Sequence, residues 1–232
     1  MSKFTKIYYT AIRIITSVLI LLSIYGVIKN FYDGEKISEY SFIFINALVL
    51  LVASLLPGYL KKYDLVIPNL VLIIYLTFIT CALLLGEIGG FFKTVRHWDS
   101  FLHLTSGGLI AFLGLSVAYL LNERSKGFKL SPFFVVIFAF CFATTIGVVW
   151  EIVEFLIDWI FSSNMQRYKD NFTGVPFVGQ KALLDTMKDY MLNTLGALVA
   201  SVIGYVDIKR ESYILNRVLI KRDVDKEKAL AN

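Results

Sequence analysis

The chain is short of the residues that build most sites in water-soluble proteins. Among its 232 residues only two are cysteine and two are histidine. Cys81 and Cys141 lie far apart in apolar segments with no C-x-x-C pairing, which argues against a disulfide framework or a thiolate metal site. Two histidines rule out a three-histidine zinc site. Charged residues are scarce at 18% of the chain. No Gly-rich phosphate loop, nucleotide fingerprint or repeat of solenoid length is visible. What fills the chain instead is apolar: 57% hydrophobic residues and a mean hydropathy of +0.68, outside the range of ordinary soluble domains.

A hydrocarbon core about 30 Å thick asks for about 20 apolar residues per helix. Six such runs are expected, at residues 7–28, 40–57, 65–86, 100–122, 132–161 and 185–207. They predict an all-α, polytopic membrane helix bundle, with one domain over 1–208 and a basic tail over 209–232. The first run follows Lys3 and Lys6 as a signal peptide would, but it is too long for one and no small-x-small cleavage pattern follows. With the N terminus in the cytoplasm, the inner segments carry fourteen Lys and Arg, from Lys3 to Lys228, against seven outside, so both termini are predicted cytoplasmic. The net charge of +5 then fits a tail beside anionic headgroups and calls for no nucleic-acid partner.

Ionisable residues inside spans are costly and face a cavity, a partner or the bundle interior. Three spans carry them. Asp99 and His103 stand four residues apart at the start of the fourth; Glu151, Glu154 and Asp158 follow i, i+3, i+7 spacing late in the fifth; Asp185, Asp189 and Asn193 step by four at the start of the sixth. Each set shares one helix face. With the predicted orientation all three stripes fall in the outer half, Glu154 about 10 Å along the helix from its outer end. Several carboxylates in a low dielectric need a counter-charge: protons, a bound cation, or basic groups such as Arg96, His97, His103, Arg167 and Lys188. Carboxylates with one imidazole suit a divalent metal, and Asp99, His103, Glu154, Asp158, Asp185 and Asp189 are the candidate ligands. Polar glue between helices is the plainer alternative.

Gly107, Gly108 and Gly114, and the series Gly196, Ala200, Gly204, are spaced to let helices approach closely. Trp98 and Trp159 fall near a membrane interface, and Arg13 lies where it can snorkel. The connection 162–184 is long enough to be a lid or simply a solvated loop, and Arg167 is its best anion-binding residue. Asn171-Phe172-Thr173 forms a weak glycosylation sequon.

The blocks Asp99-x-x-x-His103, Glu151-x-x-Glu154 and Asp185-Thr186-x-x-Asp189, with Gly196 beyond Asn193, resemble the VanZ-like membrane proteins. They are closer still to a related group of uncharacterised bacterial inner-membrane proteins. The resemblance covers residues 93–205. It implies a multi-pass protein of the bacterial cytoplasmic membrane linked to the cell envelope; Glu154 stands where the VanZ-like pattern departs, so site positions carry over and antibiotic resistance does not. One expectation is a metal-dependent hydrolase or transferase acting on a lipid-linked or envelope substrate, with His103, Glu154 and Asp189 catalytic and Glu151, Arg167 and Asn193 binding substrate. A proton- or ion-coupled transporter and a non-catalytic envelope scaffold are the alternatives. Membrane lipids are the expected partners; no feature sets the oligomeric state.

Overall fold

The computed structural model describes residues 1–124, 129–170, 172–210 and 214–222. Lys126, Asn171 of the sequon and the basic tail beyond residue 222 lie outside the described residues. In chain order the elements are α1 (Lys3–Asp33), α2 (Ser38–Lys61), β1 (Leu65–Val66), α3 (Asn69–Ile79) continued by a π-helical stretch (Thr80–Ile88), α4 (Phe91–Thr94), α5 (Trp98–Arg124), α6 (Pro132–Phe161), α7 (Gln180–Lys209), α8 (Ile214–Val218) and β2 (Lys221–Arg222). Among the described residues six helices are long and apolar enough to cross a membrane: α1, α2, α3 with its π-helical continuation, α5, α6 and α7. This is the expected all-α, six-span architecture.

Local chemistry sets the helix ends. Ser2 caps α1 by accepting the Thr5 N–H at 3.1 Å, and Gly34 ends it in the left-handed region at φ 70°. Ser131 caps α6 in the same way, with Pro132 at the first helical position, where its missing N–H removes no bond. α6 starts at residue 132 as expected, while α1 starts four residues before the expected span and α7 five before its own.

The chain forms two compact units, Met1–Trp98 with Ile220–Asn232, and Asp99–Leu219. In the first, Ile12, Leu50, Leu72, Leu76 and Ile79 form the core. Hydroxyls are turned onto their own helices: Thr16 donates to the Ile12 carbonyl at 2.7 Å and Ser54 to that of Leu51 at 2.6 Å. Tyr75 crosses between helices to donate to the Ala53 carbonyl at 2.8 Å. The Trp98 indole N–H donates to the Cys81 carbonyl in the π-helical stretch at 3.3 Å. The tail returns to this unit, where β2 pairs antiparallel with β1, Leu65 opposite Arg222.

The second unit is built on small residues. A side chain on Gly107 would strike the Asn193 backbone, one on Gly196 the Leu104 carbonyl and the Gly108 nitrogen, and one on Gly114 the Ala139 backbone. α5 and α7 therefore touch backbone to backbone, with residue numbers rising together, while α6 runs the opposite way. Ala111, Ala143, Ala197 and Ala200 are buried in this three-helix contact. Beyond it, Leu115, Ala118, Val135 and Val136 are packed with Leu215 and Leu219 at α8. Asp207, also buried, accepts the Leu215 N–H at 2.9 Å and fixes the α7–α8 corner. Start of α5, end of α6 and start of α7 thus fall at one end of the unit.

Candidate functional site

That end holds the ionisable residues, all within the second unit. Asp99 Oδ1 lies 3.4 Å from His103 Nε2, one turn apart on α5. The other imidazole nitrogen, Nδ1, faces Glu151 Oε1 of α6 at 3.9 Å. From α7, a carboxylate oxygen of Asp189 meets a ring nitrogen of His103 and an oxygen of Asp99, the three donor atoms lying within 4.8 Å of one another. Asp189 sits this deep because Gly107 and Gly196 let α7 approach α5 one turn below it.

Two cations border the carboxylates. Arg167 Nη2 is 3.3 Å from Asp99 Oδ2 and its Nη1 is 3.5 Å from Asp185 Oδ1. Lys188 Nζ lies 3.1 Å from the same Asp185 oxygen and 3.5 Å from Asp189 Oδ1. The five carboxyl groups of Asp99, Glu151, Glu154, Asp185 and Asp189 thus outnumber the two fixed cations and one imidazole at this end of the unit.

Several buried oxygens here have no hydrogen bond. Both oxygens of Glu151, Asp189 Oδ1 and Asn193 Oδ1 are in this state, although Glu151 and Asp189 are under 10% exposed and Asn193 is 2% exposed. The ion-pair distances of 3.9 Å and 3.5 Å to Glu151 and Asp189 are too long to count as hydrogen bonds. The Asn193 amide donates to Ser106 Oγ at 3.3 Å, and its side chain fills the space left by Gly147. Orphaned buried acceptors are rare and expensive.

The connection after α6 is a folded loop. Asp158 accepts the Ser163 hydroxyl at 2.6 Å and the N–H groups of Met165 and Gln166 at 2.7 and 2.9 Å. Asn164 and Lys169 exchange two further bonds, and Phe177 N–H returns to the Tyr168 carbonyl at 2.8 Å. At its tip Asp170 takes the N–H groups of Phe172 and Thr173 and the Thr173 hydroxyl, which hold its carboxyl below the ordinary carboxylate range. Braced in this way, the loop sends Arg167 toward the carboxylates from a left-handed backbone, φ 47°, unusual for a residue with a side chain.

The family described as "Predicted membrane protein (DUF2238)" matches residues 11–210. The chain belongs to this family. It is a multi-pass membrane protein, and the family match takes in the first three spans as well as the acidic second half. A Thermotoga maritima relative described as "Uncharacterized protein" is 27% identical over 121 residues, 52% of this chain and 54% of the relative, so the match spans about half of that curated protein. No solved structure matches.

In this family member the six candidate metal ligands do not converge as one set. Asp99, His103 and Asp189 meet. Asp185 is drawn aside by Arg167 and Lys188, Asp158 is saturated by the loop, and Glu154 Oε1 takes the Trp150 indole N–H at 2.8 Å. Arg96 and His97 are exposed and belong to the first unit. Lys188, expected as a counter-charge, lies beside Asp185 and Asp189. Two participants are missing from the candidates read in the sequence. Ser106 sits three residues after His103, a signal that spacing offered. Gln166, whose amide reaches the Glu151 carbonyl at 3.3 Å, had only its place beside Arg167.

Proposed function

We propose that the site is a membrane-embedded divalent-cation centre with Asp99, His103 and Asp189 as ligands. The single observation that carries this reading is the orphaned Glu151 carboxylate facing His103 Nδ1. A metal-bound imidazole donates its second ring N–H to a carboxylate or carbonyl that orients it, and Glu151 stands on that side of the ring while Nε2 turns toward Asp99. The excess of carboxylates over cations supports a positive guest. A cation about 2.1 Å from each ligand would ask for donor atoms about 3.5 Å apart; His103 Nε2 and Asp99 Oδ1 already stand at 3.4 Å, and one donor from each of the three residues lies within 4.8 Å of the others.

Beyond the site, α5, α6 and α7 are pressed together at Gly107, Gly196 and the buried alanines, which weighs against a transport path continuing between them. The function that fits best is a metal-dependent hydrolase or transferase of the bacterial cytoplasmic membrane acting on a lipid-linked or envelope substrate. Asp99, His103 and Asp189 would hold the metal, which would supply an activated water, and Glu154, one turn from Glu151 on α6, would be the base to test. The resemblance of the acidic blocks to VanZ-like proteins agrees with an envelope role.

The test is metal content of protein purified without chelators, by inductively coupled plasma mass spectrometry. Near-stoichiometric metal is expected in the wild type and in Asp158→Asn, and loss in Asp99→Ala and Asp189→Ala. A metal-free wild type, or metal indifferent to both alanine variants, overturns the reading and leaves protons to balance the carboxylates.

A further inference from the structure

We infer that the ligand taken by this centre is a phosphoryl group, held between the Asp99, His103 and Asp189 floor and a cationic rim made by Arg167 and Lys188. The inference deepens the metal reading and rests on it.

The first ground is convergence. Arg167 Nη1 and Lys188 Nζ reach one and the same oxygen, Asp185 Oδ1, at 3.5 and 3.1 Å. Two cations of different helical and loop origin aimed at a single anionic oxygen make the arrangement a phosphoryl oxygen meets in a binding site, with Asp185 as its resident substitute. The guanidinium also spreads two of its nitrogens over two carboxylates, Asp99 and Asp185. A planar fork with two donors of this kind is suited to an oxyanion that offers two oxygens.

The second ground is layering. Side-chain exposure is 33% for Arg167 and 37% for Lys188, against 13% for Asp99 and 3% for Asp189. An arriving anion meets the cations first and the would-be metal ligands beneath them. Were the cations only neutralising buried charge, burial alongside the acids would serve better, since exposed pairs contribute little.

The third ground does not depend on the ion pairs of the rim. Asn193 Oδ1 and both Glu151 oxygens are buried and unpartnered, which calls for a guest or its coordination sphere at the floor. The rim is also built at a cost: Arg167 is held at φ 47° by a loop that Asp158 pins with three bonds. Strain of this kind persists where surrounding structure enforces it, and such positions cluster at ligand clamps.

A phosphate monoester on a lipid and a soluble phosphate share this chemistry. The experiment loads the full-length protein with Mn in nanodiscs and reads the paramagnetic broadening of phosphorus resonances. Inorganic phosphate is the soluble probe, and discs containing phosphatidic acid or only phosphatidylcholine are the lipid probes. Broadening of the phosphatidic acid signal beyond that of phosphatidylcholine assigns the lipid source; broadening of inorganic phosphate alone assigns a soluble one. Either supports the inference if Arg167→Ala weakens apparent affinity by about tenfold or more, Arg167→Lys fails to restore it, and bound Mn is unchanged or raised. Retention of phosphorus broadening in Arg167→Ala and Lys188→Ala, or no broadening of either probe while Mn stays bound, overturns the phosphoryl inference and leaves the metal centre standing. Absence of bound Mn in the wild type overturns the metal reading, and the inference falls with it.

Discussion

The two units hold helices together by opposite means. In the first, Leu50, Leu72 and Leu76 fill the space between helices and the hydroxyls of Thr16 and Ser54 are folded back on their own backbones. In the second, glycine and alanine remove that space, and polar side chains of different helices face one another above the contact. Lipid tails are as apolar as leucine, so side-chain fit, rather than expulsion from water, distinguishes a packed helix from a lipid-facing one. Close backbone approach has the further effect of bringing short acidic side chains from separate helices within reach. A leucine-rich seam would keep Asp99 and Asp189 apart.

Changing residue size should break the units in opposite directions. Gly196→Leu drives a side chain into the backbone at Leu104 and Gly108 and is expected to destabilise by about 3 kcal/mol or more. In the first unit Gly58→Leu meets open space and should shift stability by less than about 0.5 kcal/mol. Thermal unfolding in detergent compares them, and equal losses would dismiss the contrast. Leu76→Ala, fully buried, is the reciprocal change and should cost about 2 kcal/mol, the cavity part of such losses in water. The Asp158→Asn variant loses a charged acceptor for three loop donors and should cost about 1 kcal/mol or more. Faster proteolysis after residue 162 is its signature, with α5–α7 packing intact.

Charge sharpens the comparison with a change of sign. Glu151→Gln removes an unpartnered buried charge, so stability of the metal-free protein should rise by about 1 kcal/mol while metal retention falls, a stability and function trade-off. A drop in stability would mean that Glu151 has a partner in the membrane. The smallest effect belongs to Asp170. Its carboxyl is held below its ordinary value of 3.8 by the loop tip, so the stabilisation is present above that value and fades as pH falls through the lowered one. Proteolysis of the loop tip should accelerate only in that acidic window, and Asp170→Asn should remove the pH dependence.

Much of this architecture was legible in the sequence because span length and hydropathy obey a single constraint, the thickness of the hydrocarbon core. The three acidic stripes were legible because helical spacing fixes their faces. The π-helical turn at Thr80–Ile88, the β1–β2 pairing and α8 were not, since each depends on contacts remote in the chain. The division of labour among the acids was hidden for the same reason. Spacing treats Asp158 and Glu154 alike, yet one is claimed by the loop and the other by Trp150. Which acids meet depends on how far glycines let α5 and α7 approach and on a loop whose fold has no periodic signature.

The Trp150 bond to Glu154 also gives the protein an optical reporter. An indole whose N–H points at a carboxylate emits at a wavelength that follows the charge beside it, and this one adjoins Glu151, which faces His103, in the chain of α6. Occupancy can therefore be followed by intrinsic fluorescence in an unlabelled bilayer, with Trp150→Phe as the blank.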